Sequence, residues 1–61
     1  MNSLFVVGDK VREKFPLASA DREPGTITKA YELSGEYRYV VRFESGREAV
    51  YFEKELVRER A

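Results

Sequence analysis

Residues 37–52, YRYVVRFESGREAVYF, decide the fold of this chain. β-branched and aromatic residues, which favour strands, fill the segment on both sides of Ser45-Gly46. A Ser-Gly pair between two such runs is typical of a tight chain reversal. The segment therefore predicts a β-hairpin with a two-residue turn, and the rest of the chain is expected to pair with this hairpin or to cover it.

The predicted turn length sets the register of the hairpin. It places Val41 opposite Val50 on the core face, and it places Val40 opposite Tyr51 on the outer face. The same register brings together Tyr39 with Phe52 and Phe43 with Glu48 on the core face, and Arg42 with Ala49 on the outer face.

Two interpretations of the aromatic residues stay open. In so small a domain most of them are expected to form the core, above all Tyr39, Phe43 and Phe52. The alternative is a cage of aromatic rings around a methylated cation, because aromatic faces attract cations. Tyr31 and Tyr37, near one end of the sheet, fit either interpretation.

Three more strands are predicted outside the hairpin. The first covers residues 10–14, and its inward-facing anchors are expected to be Phe5, Val7 and Val11. The second covers residues 26–33 and leads through Ser34-Gly35-Glu36 into the hairpin. The third begins at Val57 and is expected to lie beside the first strand.

Two local irregularities are expected as well. No single register satisfies the apolar pattern of the second strand, so a bulge is predicted near Lys29. Residues 52–56 are too short for a free-standing helix and suit one 3₁₀ turn, after which Leu56 returns to the core.

Residues 15–25 form the longest irregular connection, since Pro16 and Pro24 argue against an interior strand. Long loops in small domains often carry function. Phe15 and Leu17 therefore either plug one end of the folded sheet or contact a partner.

Composition limits the chain to one small domain, residues 1–61, with an ordered part expected at about 4–58. The 61 residues include no Cys and no His, which removes disulfides, thiolate metal sites and the commonest general base. Lys plus Arg and Asp plus Glu both number 11, whereas a dedicated nucleic-acid binder is usually basic. The beginning of the chain does not resemble a signal peptide, so a cytoplasmic location is the default expectation.

The complete pattern resembles an SH3-like barrel of the Tudor-like and KOW-like type. The resemblance depends on FVVGDKV at residues 5–11, on GTI at 25–27, on YVVRF at 39–43 followed by Ser45-Gly46, and on Leu56 after the turn. It implies an all-β fold: a small five-stranded SH3-like barrel with a 3₁₀ turn before the last strand. This superfold hosts many unrelated functions.

The chain also resembles one enzyme family, the plasmid-type (type II) dihydrofolate reductases, which are tetramers of SH3-like barrels around a central pore. GDKVREK at residues 8–14 is similar to their first strand. Val50 and Tyr51 fall on the last two positions of their pore-lining Val-Gln-Ile-Tyr motif. Ala49 stands where that motif has its ligand-contacting glutamine, Glu48 where it has valine, and Glu13 where a pore lysine is expected.

The residue types and their spacing predict no catalytic residue, no metal site and no cofactor. Glu53 and Glu55 are expected to be solvated. The best candidate surface is the outer pair of Val40 and Tyr51 with Arg38 and Arg42, because Tyr and Arg are enriched at interfaces. Alternatively these side chains merely cover the sheet.

The leading hypothesis is a non-catalytic module that docks on a protein complex. The first alternative is a nucleic-acid-associated KOW- or Tudor-like accessory domain, whose candidate phosphate contacts are Arg12, Arg38, Arg42 and Arg47. The second is a degenerate reductase-like oligomer. No membrane partner is expected.

Overall fold

The computed structural model describes residues 4–14 and 23–59 of the chain. Five antiparallel strands make up these residues: β1 (Lys10–Glu13), β2 (Gly25–Leu33), β3 (Glu36–Phe43), β4 (Glu48–Phe52) and β5 (Leu56–Arg58). A 3₁₀ turn at Glu53–Glu55 separates β4 from β5. The predicted all-β class, the number of strands and the 3₁₀ turn before the last strand are confirmed.

The strands form one sheet in the order β4-β3-β2-β1-β5. As predicted, β5 pairs with β1, with Arg12 opposite Val57. Strand β2 is the longest and pairs with both β1 and β3. Within the described ranges, no helix has the length and apolar character required to span a membrane.

The predicted bulge in β2 is confirmed, because the register with β3 shifts between Ile27 and Lys29. Ile27 lies opposite Val41 in the core, while Lys29, two residues later, is exposed opposite Val40. In a regular strand two residues with this spacing share a face. The extra residue, Thr28, resolves the conflict and lets the apolar and charged side chains reach opposite faces.

The two hairpins use different turns. Ser34 and Gly35 form a two-residue turn with φ of 54° and 81°, the positive values that suit the twist of paired strands. The second hairpin was predicted with a two-residue turn, and this was wrong. The Gly46 amide donates to the Phe43 carbonyl (2.9 Å) and the Phe43 amide to the Arg47 carbonyl (2.8 Å), which closes a three-residue loop. Gly46 has φ of 93°, as the bulged third position of such a loop requires.

The longer loop changes the register of β3 and β4 by one residue. Tyr39 pairs with Tyr51 and Val40 with Val50, instead of with Phe52 and Tyr51 as predicted. Because side chains alternate between faces, this change exchanges the inner and outer sets of β4. Tyr51 therefore lies inside and Phe52 lies outside.

One apolar cluster forms the core of the described residues. Two edge-to-face ring pairs organise it, Phe5 with Tyr39 (centroids 5.5 Å apart) and Phe43 with Tyr51 (6.4 Å). Its members are Phe5, Val11, Ile27, Tyr39, Val41, Phe43, Tyr51 and Leu56. The predicted core positions of Tyr39, Phe43 and Leu56 are confirmed.

Three residues predicted for the core face are not buried. Val50 is 53% exposed, because the changed register places it opposite Val40 on the outer side. Val7 is 61% exposed, because a tight turn closed by a hydrogen bond from the Asp9 amide to the Val6 carbonyl (3.0 Å) puts it at the surface. Phe52 is only partly buried, for the register reason given above. Phe15, Leu17 and most of the long connection lie outside the described residues.

Candidate binding face on the outer side of the sheet

The strands β2, β3 and β4 present one continuous outer face. Tyr39, Val41 and Phe43 point into the core, so the alternate residues of β3 point outward, and the register carries this alternation to its neighbours. We call the following set the outer face: Lys29 and Tyr31 of β2, Arg38, Val40 and Arg42 of β3, and Glu48, Val50 and Phe52 of β4.

The centre of the outer face is apolar. Val40 pairs directly with Val50, which is 53% exposed. On the neighbouring row, Arg38 lies between its partners Tyr31 and Phe52. Two aromatic rings and two valines therefore stand side by side on a surface that no described residue covers completely.

Cations lie against both aromatic rings of this face. The Arg38 Cζ atom is 5.0 Å from the centroid of the Phe52 ring, and the Lys29 Nζ atom is 5.8 Å from that of Tyr31. Contacts of this kind are worth about 0.5–1 kcal/mol at exposed sites, so they orient the side chains without contributing much to stability.

Arg38 also carries an unmet hydrogen-bond donor. Its Nε atom is buried and has no hydrogen-bond partner among the residues described. An unsatisfied buried donor costs about 1–3 kcal/mol.

The predicted site residues divide into three groups. Val40, Arg38 and Arg42 share the outer face, as expected. Placing Tyr51 on that face was wrong, since its side chain is only 9% exposed and Val50 stands opposite Val40 in its place. Phe15 and Leu17 lie outside the described residues.

Val50 and Phe52 are the apolar residues of the outer face that the sequence-based register placed in the core. The signal was present in the turn: glycine at the third loop position, Gly46, suits a three-residue loop as well as a two-residue one. Counting strand residues from the longer loop puts Phe52 on the face of Val50 rather than on the face of Tyr51.

Tyr51 packs in the core instead. Its hydroxyl donates a hydrogen bond to the Glu13 carboxylate of β1, which ties the edge strand β4 to the far side of the core. Burial, and then this hydrogen bond, raise the pKa of Tyr51 from 10.0 to about 12. Both effects favour the neutral phenol in the folded state.

Replacing Glu13 with glutamine should lower the pKa of Tyr51 while leaving it above its ordinary value, because burial remains. The pKa of Tyr51 is higher in the folded than in the unfolded state. The stability that the folded state gains from the neutral Tyr51 phenol is therefore fully present below about pH 10 and is lost as the pH rises towards about 12. An NMR titration of the Tyr51 ring carbon, assigned with Tyr51→Phe, measures the shift. An unchanged pKa in Glu13→Gln would contradict the assigned hydrogen bond.

A second polar cluster joins the start of the described chain to the 3₁₀ turn. The Glu53 carboxylate accepts from the Tyr39 hydroxyl (2.8 Å) and from the Leu4 amide (2.6 Å). Burial, followed by the bond to Glu53, raises the pKa of Tyr39. Glu55 accepts from the Phe52 amide (2.8 Å) and caps the turn. The prediction that Glu53 is merely solvated was therefore wrong, because it is partly buried and accepts from a core hydroxyl. Glu55 is exposed, as predicted.

Among residues 4–14 and 23–59, no three acidic, His or Cys side chains come together as a metal ion would require. Comparison with protein-family models, with curated proteins and with solved structures found no match for this chain.

Proposed function

We propose that the chain is a small SH3-like barrel that acts as a non-catalytic interaction module and docks through its outer face on an acidic surface of a partner protein. The observation that carries this proposal is the pairing of half-buried Val40 with exposed Val50 beside the row of Tyr31, Arg38 and Phe52.

The order of the strands supports the fold part of the proposal. An SH3-like barrel is expected to place its last strand beside its first and its central hairpin at the other end of the sheet. The observed order β4-β3-β2-β1-β5, with a 3₁₀ turn before β5, agrees with that expectation.

The composition of the outer face supports a protein partner. Interface centres are rich in aromatic residues and arginine and poor in Glu and Asp, with a polar rim around them. Here the centre holds Val40, Val50 and Arg38, whereas Glu48 lies at the rim opposite Arg42. The two valines add apolar area to this surface. Apolar area contributes to binding of a protein partner, whereas binding of a nucleic-acid base or phosphate does not require it.

The charges favour an acidic partner surface. This side of β2, β3 and β4 carries one more cation than carboxylates, although the whole chain is neutral. The cations are Lys29, Arg38 and Arg42, and the carboxylates are Glu48 and, at the start of β3, Glu36. Complementary charge on the partner would speed association and set its orientation.

A second candidate function is binding of single-stranded nucleic acid. The pairs Lys29 with Tyr31 and Arg38 with Phe52 each place a cation beside an aromatic ring. Such surfaces let bases stack while the cations meet the backbone phosphates. The outer face does not support the reductase-like alternative. Tyr51 agrees with the pore motif of that family, but its side chain lies in the core.

The double substitution Val40→Thr and Val50→Glu should abolish capture of the partner and leave the fold intact. Val50 is 53% exposed, so a carboxylate there stays hydrated in the free protein and would repel an acidic partner. Val40 is half-buried, and a β-branched threonine keeps its strand preference while removing apolar surface. Affinity pull-down from the source cell's extract, read by mass spectrometry with and without nuclease, measures the effect.

Val57→Glu is the matched control, because Val57 is also exposed (42%) but lies on β5, outside the outer face. Circular dichroism establishes that each variant is folded. Retention of the same partner by the folded double variant would refute the docking surface. Loss of capture on nuclease treatment would select the nucleic-acid alternative.

A further inference from the structure

We propose that a groove across β1, β2 and β3 is a binding site for a phosphate group, held by Lys10, Thr26 and Arg42. The site does not depend on the proposed docking function, although Arg42 belongs to both surfaces. Its ligand is an oxyanion with several acceptor oxygens, either free phosphate or a phosphorylated side chain.

Register places the three side chains in one row. Thr26 pairs with Lys10 on one side and with Arg42 on the other. Their sequence neighbours Val11, Ile27 and Val41 are fully buried, so all three members of the row point outward. Adjacent strands lie about 4.8 Å apart, which separates the Cα atoms of Lys10 and Arg42 by roughly 10 Å. Two long cationic side chains at that spacing can converge on one group above Thr26.

The row lies in a shallow, open depression of the sheet surface. A groove of about 320 Å³ is lined by these three residues together with Pro24 and Thr28. Thr28 is the bulged residue of β2, and bulges bend and twist the strand that contains them. The depression gives room for a phosphate group and its remaining water molecules.

The groove offers hydrogen-bond donors that are not used elsewhere in the described part of the chain. There, Lys10 and Arg42 form no ion pair and the Thr26 hydroxyl forms no hydrogen bond. The Thr28 hydroxyl, in contrast, contacts the Val40 carbonyl (3.4 Å). An arginine fork, a lysine and a hydroxyl together suit a phosphate group, because the fork binds two oxygens at once and the ammonium adds a point charge.

Two carboxylates reduce the positive charge at the site. Glu44 lines the groove, and Glu48 lies opposite Arg42 on β4. Both are exposed, so solvent weakens their effect on the cations. Their presence predicts a weak site whose affinity rises when a carboxylate is removed.

Titration of the isotope-labelled protein with inorganic phosphate, followed by amide NMR at constant ionic strength, tests the site. The expected result is a saturable shift at residues 10, 26 and 42. Arg42→Ala and Lys10→Ala should each weaken binding by about tenfold, the effect of losing one charge-assisted hydrogen bond. Glu48→Gln should tighten binding severalfold, and Lys54→Ala, a lysine on the 3₁₀ turn outside the groove, should leave it unchanged.

A parallel titration with O-phosphoserine distinguishes the two sources of the ligand. Tighter binding of phosphoserine would indicate a phosphorylated side chain, and equal binding would indicate free phosphate; both support the site. Shifts that do not saturate, that chloride reproduces, or that occur with unchanged affinity in Arg42→Ala would overturn it. Lys10 lies off the outer face, so Lys10→Ala should weaken phosphate binding without affecting partner capture, and this separates failure of the site from failure of the docking proposal.

Discussion

Replacing Tyr39 with alanine should remove a large part of the domain's free energy of unfolding. The side chain is fully buried, its ring packs edge-to-face on Phe5, and its hydroxyl donates to Glu53 (2.8 Å). Replacing a large buried aromatic residue by alanine costs about 3–5 kcal/mol. A domain of this length has a free energy of unfolding of only about 3–9 kcal/mol, at roughly 0.05–0.15 kcal/mol per residue. Urea denaturation followed by circular dichroism measures the loss.

Tyr39→Phe is the matched control, because it keeps the ring and removes only the hydroxyl. Its expected cost is about 1–3 kcal/mol, since Glu53 and the Phe5 amide, 3.4 Å from the hydroxyl oxygen, each lose a partner. Tyr39→Ala should therefore be clearly less stable than Tyr39→Phe. Equal stabilities for the two variants would show that the ring contributes nothing to the core.

Gly25→Ala should destabilise the domain by about 1–3 kcal/mol, the usual cost of overpacking a core. Gly25 begins β2, and an added Cβ would lie 2.4 Å from Val41 Cγ1 and 3.0 Å from Phe43 Cδ1. Gly25 is not among the residues with positive φ, so backbone preference alone would favour alanine there. The sign of the change therefore distinguishes close packing from backbone conformation, and thermal and urea unfolding measure it.

Combining Gly25→Ala with Val41→Ala provides the sharper test. Val41→Ala removes the Cγ1 atom that blocks the new methyl group, so the double variant should be more stable than the sum of the single effects predicts. Neighbours in contact typically show coupling of about 0.5–3 kcal/mol. Simple additivity, or a stabilising Gly25→Ala, would contradict the contact between β2 and β3.

Features that depend only on the types and spacing of neighbouring residues were predicted correctly from the sequence. Runs of β-branched and aromatic residues predicted the strands, and the 3₁₀ turn followed from a segment too short for a helix. The bulge near Lys29 was predictable because two registers conflicted and only an extra residue could satisfy both. Burial of Phe5, Val11 and Leu56 followed from the same patterns.

The candidate face was only partly predictable. Arg38, Val40 and Arg42 were assigned to it correctly, because residues within one strand alternate whatever the partner strand does. The β4 members were assigned wrongly, because their position depends on how many residues the loop after Phe43 contains. Ser45-Gly46 is compatible with two loop lengths, and each places the opposite set of β4 side chains outside.

The sequence by itself determined the all-β class, the approximate strands and the alternation of each strand, since these follow from side-chain type and spacing. Only the tertiary structure decided which alternate set of β4 joins the core, because burying Tyr51 against Phe43 and Glu13 requires contacts between distant strands. It also decided that Gly25 lies against Val41 and that Lys10, Thr26 and Arg42 form one row. These features are pairings between residues far apart in the chain, and no local preference specifies them.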